Sequence, residues 1–256
     1  MITVSSNQLL AFIAAFLWPF TRIMGVIMVA PLFGNLAVPP RVKVALGVTM
    51  SLLVAPGLTG LPEMDPMSPQ AVVILVQQFV IGAAMGFVVR MVFSAVEMAG
   101  EVTGMTMGLG FAVFFDPASQ GRSSAISQFL ALVVLMFYLA TNLHLLLLAT
   151  LADSFSTLPI TAMPLGSGLF RGLADWGGHI FSAGLQLALP MVAVLLITNI
   201  ALGVLTRAAP QLNIFGVGFP VTISVGLLML ALVLPYLAVP VEKLFAQAFD
   251  FLRNIR

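Results

Sequence analysis

The chain has 256 residues, of which 61% are hydrophobic and only 7% charged, and its mean hydropathy is +1.14. A soluble domain carries about 25% charged residues, so this composition is that of an integral membrane protein. A net charge of +1 excludes a nucleic-acid binder, which needs a basic stripe to neutralise phosphates, and the absence of cysteine excludes disulfides, thiolate metal sites and cysteine nucleophiles.

The chain begins MITVSSNQLLAFIAAFLWPF, without the positively charged region of a cleavable signal peptide and with an apolar run that continues past any cleavage point. It reads as a retained first membrane segment. A span needs roughly 20 apolar residues, and the uncharged stretches place six helices, near 8–36, 43–60, 69–96, 124–152, 178–206 and 214–241. The fold class expected is all-α, with kinked hydrophobic helices. Pro19 and Pro31 fall in the first helix, Pro190 in the fifth, and Pro220 and Pro235 in the sixth. Each proline removes a backbone hydrogen bond that neighbouring protein must replace, so the helices should pack on one another. Arg22 interrupts the first apolar run, and Gly82, Ala83 and Gly86 would let the third helix approach a neighbour closely.

The second helix ends at Ala55-Pro56-Gly57 and leads to a turn-like segment, LPEMDPMSP, carrying Glu63 and Asp65. A long connection, 153–177, divides four helices from two, and no repeat is visible across it. Lys and Arg in the flanks do not set an orientation. Arg41, Lys43, Arg90, Arg122 and Arg207 fall to one side of a six-span serpentine, and Arg171, Lys243, Arg253 and Arg256 fall to the other.

Few residues invite chemistry. Glu97 and Glu101 are spaced to share a helix face. As a pair in hydrocarbon they would raise one another's proton affinity and could serve a proton-coupled secondary transporter; at the wet end of the third helix they would be ordinary surface carboxylates. His144, near Thr141 and Asn142, reads as a hydrogen-bonded packing residue, and His179, after Trp176-Gly177-Gly178, as an interfacial one. No zinc-protease, Walker A, nucleophile-elbow or paired-aspartate protease pattern occurs, so no catalytic residue, cofactor-binding residue or metal ligand is expected.

The odd segment is GLGFAVFFDPASQGR, 108–122. Gly108, Gly110 and Asp116-Pro117 work against a helix, yet Phe111, Phe114 and Phe115 are as apolar as any spanning residue. Non-helical backbone at membrane depth is tolerated only where protein or a water-filled cavity surrounds it. From the residues alone, a re-entrant packing element with no gating role is the better description, and Met105 and Met107 fit pliable packing or an ordinary core.

Two stretches carry a resemblance: GEVTGMTMGLGFAVFFDPASQGR (100–122) and TRAAPQLNIFGVGFPVTISVGLLML (206–230). In the second, Arg207, Pro210, Gln211, Asn213, Phe215, Gly218, Phe219 and Pro220 match in order the pattern of the FliR family, the R subunits of the type III protein export gate, and the chain resembles that family over essentially its whole length, including PPRVKVALGV (39–48). It departs at Leu143, where the family commonly has glycine between Asn and His.

The resemblance implies a non-enzymatic core subunit packed with P and Q subunits into a helical, hetero-oligomeric export-gate core. It implies a P-like part, 1–152, containing a plug loop at 104–122, a connecting loop at 153–177, and a Q-like hairpin with a C-terminal tail at 178–256. Gly108, Gly110, Phe111, Phe114, Phe115, Asp116 and Pro117 would then belong to a loop that plugs the channel. Implied partners are the P and Q subunits, the large B-type export-switch and A-type export subunits, early axial (rod-side) proteins, exported unfolded proteins and membrane lipid. The implied location is the bacterial inner membrane at the flagellar basal body, with the core raised toward the periplasm. The family's injectisome branch is an alternative setting.

Overall fold

The computed structural model describes residues 6–58, 62, 68–111, 124–161, 166–209 and 214–254, apart from the side chains of 6–12, 111, 167, 214 and 215. Among them the chain is all-α: α1 (Ser6–Val29), α2 (Pro40–Val54), α3 (Pro69–Thr106), α4 (Ala125–Ala140), α5 (Leu143–Thr157), α6 (Ser167–Ala208), α7 (Ile214–Val233) and α8 (Ala238–Asn254). Three helical runs are long and apolar enough to cross a membrane, Pro69–Thr106, Gly168–Ala208 and Gly216–Asn254, and the α4–α5 pair makes a fourth if its 66° bend is counted as one broken span.

Several boundaries differ from the sequence reading. The helix expected to end at 96 continues to Thr106, through Glu97 and Glu101. The single helix expected over 124–152 is two, broken at Asn142, which takes a left-handed conformation with φ 58. Asparagine is among the few residues with a side chain that tolerate this region. The expected connection 153–177 is helical over 153–157 and again from 167 onward. Pro31 lies past the end of α1, whereas Pro19, Pro190 and Pro220 are inside helices and Pro235 sits in the 3₁₀ turn Leu234–Leu237.

The chain divides into two compact units: Met1–Met91 with Asn142–Trp176 and Gln247–Arg256, and Val92–Thr141 with Gly177–Ala246. In the first, α1 and α3 touch backbone to backbone. A Cβ on Gly25 would fall 2.5 Å from the Phe79 carbonyl oxygen, one on Gly86 2.9 Å from the Ala30 nitrogen, and one on Gly82 would collide with the Arg22 carbonyl oxygen. The small residues of α3 thus do what their spacing suggested. α2 packs on the other side of α1, with Gly47 against Met24 and the Phe20 ring. Trp18, Ile23, Val26, Ile27 and Ile74 are buried here. Trp176 stacks on Phe251 at 5.5 Å and donates from Nε1 to the Val88 carbonyl at 3.3 Å.

In the second unit α3 continues against α4 and α6. Gly100 brings the backbones of α3 and α4 together at Ser127, and Gly184 on α6 lies against Ala95 and Met98. Phe93, Tyr138 and Phe245 form an aromatic cluster with centroid separations of 5.4 to 5.7 Å. α6 and α7 leave large apolar side chains exposed, among them Leu189, Ile197, Ile200, Val204, Leu228 and Leu232. Faces of that kind mark contact with membrane or with other protein.

Candidate functional site: a segment anchored at both ends

α3 leads into the glycine- and phenylalanine-rich segment, and the geometry at its start is fixed by α7. Thr222 Oγ1 donates to the Met107 carbonyl oxygen at 2.9 Å. The Met107 side chain is buried over Gly226, where a Cβ would come within 2.5 Å of Met107 Cγ. α6 adds a longer bond, from Asn199 Nδ2 to the Thr106 carbonyl at 3.4 Å. The next residue, Gly108, has φ 89, a left-handed conformation that a side chain would strain, and a 3₁₀ turn follows over Leu109–Phe111. The chain therefore leaves the axis of α3 at Gly108.

The far end is fixed on α3 itself. Ser124 is the N-cap of α4, its hydroxyl accepting from Ser127 N at 3.2 Å. The Ser124 backbone N–H donates to Glu101 Oε2 at 2.9 Å, and Ser127 Oγ donates to the Glu97 carbonyl oxygen at 2.8 Å. The Glu101 carboxylate stands at the N-terminus of α4, where a negative charge is favoured by the helix dipole. It also accepts a backbone proton, making a charge-assisted bond of the stronger sort. Glu101 thus ties the return of the segment to the helix from which it departed.

The other residues singled out from the sequence are placed as follows. Gly110 is exposed, and Phe111 lies in the 3₁₀ turn; Phe114, Phe115, Asp116 and Pro117 lie outside the described residues. Arg207 is exposed in the last turn of α6, where a cation suits the dipole; Pro210, Gln211 and Asn213 lie outside the described residues. Phe215, Gly218, Phe219 and Pro220 form the first turns of α7, with Gly218 buried and Phe219 and Pro220 exposed. Glu97 is exposed, Met105 is exposed, His144 is half-buried at the start of α5, and His179 is exposed on α6. Among the described residues no group of three or more His, Cys, Asp or Glu is placed to hold a metal ion.

The sequence reading missed the role of Arg22. It is fully buried on α1, with Nε donating to Gln78 Oε1 at 2.8 Å, Nη1 to Ser154 O and Oγ at 2.9 and 3.1 Å, and Nη2 to the Leu158 carbonyl at 2.8 Å. Its guanidinium lies over the Phe155 ring, 4.3 Å from the centroid. The cation thereby caps the C-terminal carbonyls of α5 and joins α1, α3 and α5. A lone arginine in an apolar run was itself the available signal, because an intramembrane charge requires a specific set of partners.

An all-α membrane protein in which α7 fixes the chain at Met107 and Glu101 fixes it again at Ser124 is the class that these features define. The chain matches the family described as bacterial export proteins, family 1, over residues 13–248. It is 44% identical over 255 residues to the flagellar biosynthetic protein FliR of Pectobacterium carotovorum, covering 100% of this chain and 97% of that protein. It is 40% identical over 255 residues to FliR of Escherichia coli K12, again 100% of this chain and 97% of that protein, and 29% identical over 252 residues to FliR of Bacillus subtilis, 97% of each. The chain belongs to this bacterial export protein family.

Proposed function

We infer that the chain is a membrane-embedded component of the flagellar protein export apparatus, and we propose that within it the chain forms the channel entrance with P and Q subunits. Its first part, 1–152, would serve as a P-like unit, 178–256 as a Q-like hairpin and tail, and 153–177 as the link between them. The segment 108–122 plugs the resting channel. Phe111, Phe114 and Phe115 form an apolar constriction that excludes water, and an arriving unfolded substrate displaces it.

The observation that carries this reading is the clamp at Met107 and Ser124. A displaceable plug needs a backbone that departs from its helix at a defined point and returns to a fixed one. Gly108 with Thr222 supplies the first, and Glu101 with the Ser124 N-cap supplies the second. The exposed apolar faces of α6 and α7 suit packing against other helical subunits. The Arg207–Pro220 stretch belongs to that packing surface. Family membership supports the remaining associations: the large A-type and B-type export subunits, the early axial proteins, and a core raised toward the periplasm at the basal body.

The test replaces Phe111, Phe114 and Phe115 together with alanine. The assembled complex is expected to form normally and its resting membrane to leak ions or small solutes. An assembled variant with unchanged permeability overturns the plug.

A further inference from the structure

The turn joining α1 to α2 carries chemistry that the export reading does not use. Its shape is set by local bonds: Ala37 N donates to Asn35 Oδ1 at 2.9 Å, Val38 N to the Asn35 carbonyl at 3.1 Å, and Lys43 Nζ reaches back to the Gly34 carbonyl at 3.1 Å. Pro39 and Pro40 stiffen the far side. At the apex of this ordered turn Leu36 is 99% exposed, and Val42 is exposed on the first turn of α2.

Two cations stand beside this apolar tip, Arg41 and Lys43. They occupy the N-terminal turn of a helix, where the dipole disfavours positive charge. No acidic residue precedes Glu63 in the sequence, and among the described residues the Arg41 side chain makes no hydrogen bond or ion pair. Among the described residues Lys43 commits to Gly34 one of the three donors that an ammonium offers. A preformed tip with an exposed leucine and two adjacent cations is complementary to one surface in particular, a bilayer whose interface presents acyl chains beneath anionic phosphates.

We propose that this turn is an anchor for anionic phospholipid, with Leu36 seated among acyl chains and Arg41 and Lys43 binding headgroup phosphates. The proposal stands apart from the plug reading and survives its failure. It also differs from general lipid contact along the apolar helices, because it requires headgroup charge.

The chain has no cysteine, so Leu36→Cys introduces a single labelling site. The full chain, purified with its co-expressed partner subunits, is labelled there with an environment-sensitive fluorophore. It is then reconstituted in phosphatidylcholine vesicles with or without phosphatidylglycerol. The proposal expects quenching by shallow nitroxide-labelled lipid and protection from aqueous iodide. It also expects phosphatidylglycerol enrichment among co-purified lipids to fall about fivefold for each cation removed in Arg41→Gln and Lys43→Gln. The charge-preserving Arg41→Lys, Lys43→Arg double variant retains that enrichment and controls for folding. A label open to iodide, or shielded from both quenchers by protein, overturns the proposal. Quenching with enrichment unchanged in the glutamine variants overturns the headgroup claim.

Discussion

Replacing Arg22 tests the packing account of the first unit most sharply, because charge and geometry make opposite predictions for its substitutes. The guanidinium makes four hydrogen bonds to Gln78, Ser154 and Leu158 and covers the Phe155 ring, and all of these partners are neutral. In Arg22→Met the burial cost of the charge disappears, while Gln78 Oε1 and the Ser154 and Leu158 carbonyls lose their donor. At about 1–3 kcal/mol per orphaned buried group, partly offset by several kcal/mol of desolvation no longer incurred, the net loss is about 1–4 kcal/mol. Arg22→Lys keeps a buried charge but replaces the planar fork with a single ammonium that cannot reach all three partners. It should therefore be at least as destabilising as methionine. Arg22→Ala adds a cavity and should be worst, by about a further 2 kcal/mol or more. Thermal unfolding of the detergent-purified protein reads the order directly, since about 1 kcal/mol moves the midpoint of a chain this size by roughly 2–4 °C. A near-native lysine variant with a strongly destabilised methionine variant would refute the reasoning, since charge rather than the fork would then be what matters.

Gly82→Val drives a side chain into the Arg22 carbonyl oxygen, so the variant should fail to accumulate in membranes, whereas Gly178→Ala, with no atom within 4 Å of the new methyl, should accumulate normally and gain up to about 1 kcal/mol in thermal stability. Immunoblots of membrane fractions distinguish the pair. Glu101→Ala removes the acceptor for Ser124 N and should cost about 1–3 kcal/mol, while Glu101→Gln retains an acceptor and costs less. The Glu97→Gln, Glu101→Gln double variant should still export flagellar protein in a secretion assay; lost export from a normally assembled complex would favour a proton-carrying role.

Hydropathy made the all-α membrane class legible, because a span requires a long apolar run whatever its neighbours. That α3 approaches a neighbour closely was legible from Gly82, Ala83 and Gly86, since only small residues permit it, but that the neighbour is α1 was not. Other features were hidden for definite reasons. α3 runs on to Thr106 because Glu101 and the Glu97 carbonyl find partners in Ser124 and Ser127, which a count of apolar residues does not register. The stretch 153–177 read as a connection, but the backbone at Gly172 passes close enough to the Phe251 ring that a Cβ there would lie 3.2 Å from it, and Trp176 is held by Val88, so tertiary contacts sustain a helix there. The break at Asn142 has neither proline nor glycine to announce it. The departure point of the candidate plug was marked by Gly108, but its anchors, Thr222 and Gly226, lie more than a hundred residues away, beyond any local pattern.

The central claim is that this chain works as one member of a helical export-gate core. Native mass spectrometry of the tagged chain, co-expressed with its neighbouring membrane genes and extracted in mild detergent, tests it most directly. The account predicts a large complex holding one copy of this chain with several copies of two smaller membrane proteins. A stable monomer or small homo-oligomer without those partners would contradict it.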